Sequence, residues 1–195
     1  MTIVNQQNEA MLRQSFKKLN FAMVGMWRLG LRRWINIWPS VGGQILAITH
    51  TGRKTGLRRR TPVNYVQEGN VVYFSAGFGH VSDWYRNILA NPEVEIWLPD
   101  GWWAGLAEDI SDDPERLPLL RRVIVASGIV GRLFGFDLQH MSDVELDQLT
   151  SSYRLVRVTL TERMSGSDGP GDLAWVWVPL GLVGLLIYHL LRRRK

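Results

Sequence analysis

The chain has 195 residues, 46% apolar and 21% charged, which leaves room for one hydrophobic core with appendages and not for two. It has no cysteine, which excludes disulfides, thiolate metal sites and thiol catalysis. Its four histidines, His50, His80, His140 and His189, lack the spacing of a helical metal site, so no metal is expected. The net charge of +5 conceals a segregation: residues 1–67 hold eleven Lys or Arg against one Glu, residues 68–172 hold eight against seventeen acids, and the last four residues are all basic. A basic third of this kind points to an anionic partner: lipid headgroups, a phosphate-bearing cofactor or nucleic acid.

Residues 1–40 predict a basic amphipathic helical segment. Phe16, Leu19, Met23, Met26 and Trp27, then Leu31, Trp34, Ile35 and Trp38, recur at three- and four-residue steps and form an apolar stripe flanked by cations. Arg13, Lys17, Lys18, Arg28, Arg32 and Arg33 interrupt it too often for a secretory signal. Such a helix suits either an anionic bilayer surface or the end of a barrel, and Gly25 and Gly30 argue against one continuous helix. Cations interleaved with a bilayer-like stripe speak against nucleic acid as the partner.

Residues 41–164 predict one α+β domain, a small antiparallel split β-barrel with peripheral helices. Strand-like runs fall near 44–51, 61–67, 71–76, 94–98, 102–108 and 152–161. Hairpin turns are expected at Glu68-Gly69-Asn70 and Pro99-Asp100-Gly101. Ser82 can cap a short helix from Asp83 to Ala90, which Asn91 and Pro92 terminate. Asp113-Pro114 starts another helix, and Ser142 with Glu145 forms a capping box for a third. In the last strand the apolar phase changes between Leu155 and Val156, which predicts a bulge there.

Residues 165–172 have the composition of a flexible linker. The nineteen uncharged residues 173–191 predict a transmembrane helix about 28 Å long, with Trp175, Trp177 and Tyr188 placed for the interfaces. Residues 192–195 form a basic tail. A single-pass, membrane-anchored protein follows, with its domain expected on the cytoplasmic side, where the cations favour the anionic leaflet. Membrane lipid is then a partner. A homodimer is compatible with the sequence.

Two segments carry the chemistry. Thr51-Gly52-Arg53-Lys54-Thr55-Gly56-Leu57-Arg58-Arg59-Arg60 puts two glycines, hydroxyls and five cations within ten residues, an anion-binding composition that is not a P-loop. Ser75-Ala76-Gly77-Phe78-Gly79-His80 leaves a strand, and Asp83-Trp84-Tyr85-Arg86-Asn87 with Ala90-Asn91-Pro92 makes the helix that follows. In this order, over residues 45–108, these segments with Arg59 and Pro62 resemble the deazaflavin-dependent nitroreductase family, which is similar in fold to split-barrel flavin-binding proteins.

The resemblance implies an oxidoreductase that transfers a hydride from the reduced deazaflavin coenzyme F-420 to a lipophilic acceptor such as a quinone, a nitroaromatic or an activated alkene. It implies Arg53, Lys54, Thr55 and Arg59 for the coenzyme's phosphodiester and polyglutamate. It further implies Ser75, Ala76, Gly77 and Gly79 for backbone contact with the heterocycle. Trp84 and Tyr85 wall the ring or else anchor the core. His80, Tyr65 and Ser75 are candidate proton donors. Where the family has an aromatic residue two places after the proline, this chain has Asn64, so the resemblance carries no substrate preference over. Two other readings stand beside it: a split-barrel protein using FMN, and a noncatalytic membrane protein binding lipid headgroups.

Overall fold

The computed structural model describes residues 19–35, 43–128 and 141–192. Expectations that fall on 1–18, 36–42, 129–140 and 193–195, among them Phe16, Trp38 and the last three cations, lie outside the described residues.

Six strands close into a barrel: β1 (Ile45–Thr51), β2 (Arg58–Glu68), β3 (Val71–Ala76), β4 (Glu93–Leu98), β5 (Gly101–Asp109) and β6 (Arg154–Arg163). Their spatial order is β1-β2-β3-β6-β5-β4, with β4 pairing back onto β1, and every neighbouring pair is antiparallel. Closure removes the sheet edges that a six-stranded open sheet would expose. The two expected hairpins join β2 to β3, through Gly69 at φ +59°, and β4 to β5. The interior is filled by alternate residues, including Leu46 and Ile48 of β1, Val72, Phe74 and Ala76 of β3, Ile96 of β4, and Val156 and Val158 of β6.

The predicted bulge at 155–156 is absent. β3 and β6 pair without interruption from Ala76↔Arg154 to Val71↔Thr159, and the irregularity lies instead between Trp103 and Gly105 of β5. Leu155 and Val156 are both buried because both faces of β6 are covered there: Val156 faces the interior, while Leu155 faces outward. A period-two argument assumes one wet face, and this end of the strand has none, whereas Thr159 and Thr161 further along it are exposed.

Helix α1, described over 19–28, lies on the outer face of β1, β4 and β5. There Trp27 is fully buried against Ala47, Trp97 and Trp102. Gly30, at φ +77°, separates α1 from the short α2 (Arg32–Ile35), whereas Gly25 lies inside α1 and does not interrupt it. α3 (Asp83–Ala90) closes one end of the barrel by inserting Tyr85 and Ile88 into the interior cluster. Ser82 occupies the N-cap position of α3 but makes no side-chain capping bond. α4 (Arg116–Ala126) covers the opposite outer face through Leu120 and Val123. α5 (Asp143–Leu149) opens with the expected Ser142–Glu145 capping box. The last helix, α6 (Trp177–Arg192), extends the apolar run, and none of residues 174–192 is buried. Among the described residues this is the one helix long and apolar enough to cross a membrane.

Residues 169–172 of the expected linker are held against the rest of the chain. Gly171 and Leu173 donate main-chain hydrogen bonds to Trp27 and Arg28, and Gly169 packs under the Trp102 ring, which leaves no space for a Cβ. Glycine here serves close approach between segments as well as freedom.

Candidate cofactor site

The basic segment divides once it folds. Arg58, Arg59 and Arg60 belong to β2, so the turn is only Gly52 to Leu57, closed by Gly52 N–H donating to Leu57 O at 2.9 Å. Gly56 takes φ +66°, and the space beside it is open to 4 Å. At Gly52 a Cβ would stand 2.8 Å from Thr55 Oγ1 and 3.1 Å from Arg59 Nε, so a missing side chain is what lets these two groups converge.

Each of the five cations has its own environment. Arg53 is turned onto α3: its backbone N–H and Nη1 both donate to Asn87 Oδ1, at 3.1 and 2.9 Å, and its Nη2 pairs with Asp83 at 3.0 Å. Arg58 pairs with Glu95 on the outer face. Arg60 lies 4.6 Å over the Trp97 ring and donates to the Asp168 carbonyl. Lys54 and Arg59 are exposed and make no ion pair among the described residues.

A buried polar chain lies beneath the turn. Asn87 Nδ2 donates to His50 Nδ1 at 3.1 Å, and His50 Nε2 lies 3.1 Å from Thr61 Oγ1. An amide NH2 can only donate, so Nδ1 accepts and the ring proton sits on Nε2. Burial, aided by the neighbouring Arg59 charge, lowers the His50 pKa to about 4, and the imidazole is neutral. Composition singled out none of this. Asn87 was visible as part of the Asp-Trp-Tyr-Arg-Asn run, but a lone polar residue inside a strand, such as His50, carries no periodic signal.

The strand exit is folded against the start of β6. Gly79 has φ +54°, and a Cβ there would stand 2.1 Å from Ser152 O, so only glycine fits. Gly77 and His80 are exposed, and Ala76 is in the core. Ser75 sits on the outward phase of β3, with Tyr73 rather than with Phe74.

Tyr85 is fully buried, and its hydroxyl donates to Asp109 Oδ2 at 2.5 Å, so of its two expected roles the structure selects core anchor. Burial, the Asp109 hydrogen bond and the Asp109 charge raise its pKa well above the usual phenol range. Burial would raise the Asp109 carboxyl, but the Ser111 hydroxyl, the Tyr85 hydroxyl and the Ser111 amide outweigh it and hold the carboxyl low. Trp84 is half-buried against Phe74 and Tyr85, and His80 meets the Tyr85 ring edge at 5.5 Å.

Tyr65 lies opposite Phe74, one place before Ser75, and so beside the strand exit but away from the basic turn. It is 6% exposed inside the barrel, seven residues along β2 from Arg58, which is about 23 Å at a strand's rise. Burial pushes its phenol up to about 12.

Residues 35–128 match the model of the F420H(2)-dependent quinone reductase family. This chain is an F-420-dependent oxidoreductase that resembles that family. Among solved structures it is similar to an F-420 reductase, at 20% identity and a TM-score of 0.44, covering 66% of this chain and 94% of that one. It is also similar to an F-420-H2-dependent reductase, at 20% identity and TM-score 0.41, covering 59% and 93%. A third is a conserved hypothetical protein from Mycobacterium tuberculosis, at 18% identity and TM-score 0.45, covering 62% and 74%.

The donor set of this reductase fits a polyanionic coenzyme. Lys54, Thr55 and Arg59 present an ammonium, a hydroxyl and a guanidinium around one glycine turn, and Gly77, Phe78 and His80 are exposed at the strand exit ahead of α3.

Proposed function

We propose that this reductase acts at a membrane surface, reducing a lipophilic quinone-type acceptor with the hydride that bound, reduced F-420 supplies. The observation that carries the site assignment is the division of the basic turn: Arg53 is committed to Asp83 and Asn87, whereas Lys54 and Arg59 stand exposed without an ionic partner among the described residues.

In this reading Lys54, Thr55 and Arg59 hold the acidic arm of the coenzyme, and Arg53 holds the turn. Gly77 and Gly79 keep side chains away from the ring-facing backbone, with Ser75 and Ala76 setting where the exit begins, and Trp84 offers an apolar wall. Quinone reduction needs a proton as well as a hydride. His80 is exposed beside the exit and is the side chain best placed to deliver it, since Tyr65 is buried inside the barrel and Ser75 lies on the outward phase. The exposed apolar α6 supports attachment to the bilayer, where such acceptors dissolve. The cytoplasmic placement of the domain belongs to the same proposal.

Titrating detergent-purified full-length protein with F-420 and, separately, FMN, and following fluorescence, tests this. Saturable F-420 binding is expected, and Lys54→Ala with Arg59→Ala should weaken it on the order of a hundredfold, because each charge-assisted bond is worth about 1.5–3 kcal/mol. Binding of FMN alone would overturn the cofactor assignment for this site. Unchanged F-420 affinity in the folded double variant would overturn the residue assignment.

A further inference from the structure

The junction between the barrel and the apolar helix is built, not loose. Trp27 pins α1 to the barrel, and the chain ahead of α6 is fastened to the end of α1 at four successive points. Gly171 N–H donates to Trp27 O at 3.0 Å, Leu173 N–H to Arg28 O at 2.9 Å, and Trp177 Nε1–H to Leu29 O at 2.9 Å. Arg28 grips the Asp172 carboxylate from two nitrogens, Nε at 2.9 Å and Nη2 at 2.7 Å. Gly30 and Gly171 both have positive φ, and they lie against each other closely enough that a Cβ on Gly171 would stand 3.9 Å from Gly30 Cα. The two segments therefore meet backbone to backbone.

What leaves this junction is a helix apolar on every side. Every residue from Trp177 to Arg192 is exposed, so no single partner face accounts for it. A second copy of the chain would cover one stripe, whereas hydrocarbon covers all of them. Beside the junction, Trp34, Trp175 and Trp177 are 66%, 65% and 48% exposed, at the level where amphipathic rings favour the membrane interface.

We infer that the Arg28–Asp172 pair locks the barrel in one orientation on the bilayer, with Trp34, Trp175 and Trp177 seated in the interface. This inference rests on the membrane reading above. It adds that the anchor is a rigid collar and not a tether, so one face of the barrel always meets the lipid.

The absence of native cysteine makes the test direct. Single-cysteine variants Trp34→Cys and Val144→Cys, the second exposed on α5, which is ion-paired to α4 on the far side of the barrel, are labelled with a thiol-reactive fluorophore. The full chain is reconstituted into phosphatidylcholine and phosphatidylglycerol vesicles carrying a doxyl-labelled lipid. The label at 34 should be quenched at least about twofold more than the label at 144. Asp172→Asn should erase that difference while the protein still floats with the vesicles, and the charge swap Arg28→Asp with Asp172→Arg should restore it.

Equal quenching at the two positions in the parent protein, with flotation intact, overturns the locked orientation and leaves the membrane reading standing. A difference that survives Asp172→Asn overturns the role of the ion pair. Failure of the parent to float overturns the membrane reading itself.

Discussion

Two junctions fasten distant parts of this chain, and they use opposite physics. At the α3 end of the barrel, His50, Asn87 and Thr61 form a neutral chain buried beneath the basic turn, and Arg53 is attached to it through Asn87. At the α6 end, an ion pair and three hydrogen bonds to main-chain carbonyls hold one segment on another at a partly exposed seam, above an apolar base made by Trp27. The first junction is sensitive to whether a histidine is protonated, and its buried neutral chain is indifferent to salt. The second is open to ionic screening but has a hydrophobic foundation that salt cannot reach.

The largest expected effect comes from breaking that foundation. Trp27→Ala removes a fully buried indole from the cluster with Trp97 and Trp102 and should cost about 3–5 kcal/mol, read as a lower urea midpoint. A loss below about 1 kcal/mol would show that α1 is only loosely laid on the barrel.

Next comes the pH dependence that separates the two junctions. The folded-state pKa of His50 lies near 4, below its unfolded value of about 6.5, so the folded state binds fewer protons in that window. Stability is therefore fully present above about pH 6.5 and is lost as pH falls toward 4, by up to about 3 kcal/mol. His50→Gln should flatten urea-unfolding stability across this range. An equally steep profile in the variant would remove His50 as its source.

The smallest effect is the sharpest comparison, because it lies within one turn. Arg53→Ala should lower stability by about 1 kcal/mol through the lost Asn87 bond, with little from the solvent-facing Asp83 carboxylate. Lys54→Ala should change it by less than about 0.5 kcal/mol. Equal losses would mean that the turn is not divided between holding the fold and facing outward.

Much of the architecture was legible because its signals are local. Alternating apolar residues, the turn glycines at 69 and 101, and Ser142 three residues before Glu145 each act within a few positions, and the strands, hairpins and capping box follow from them. The apolar run at 173–191 was equally plain, since length and lack of charge are properties of the segment alone. The resemblance to the F-420-dependent family was likewise carried by a short, ordered set of residues.

Which cation does what was not legible, because Arg53, Lys54 and Arg59 are equivalent as letters. They differ only through what folding sets beside them: Asn87, thirty-four residues away in sequence, for one, and solvent for the others. Nor could sequence spacing show that Tyr65 and the basic turn lie at different ends of the barrel, that Leu155 and Val156 are buried on opposite faces, or that Asp172 meets Arg28 across 144 residues. Composition and periodicity determine which segments become strands, helices and turns, because those depend on near neighbours. Tertiary structure alone decides which polar groups are consumed in holding segments together and which remain free to meet a ligand, because that depends on partners brought close only when the barrel shuts.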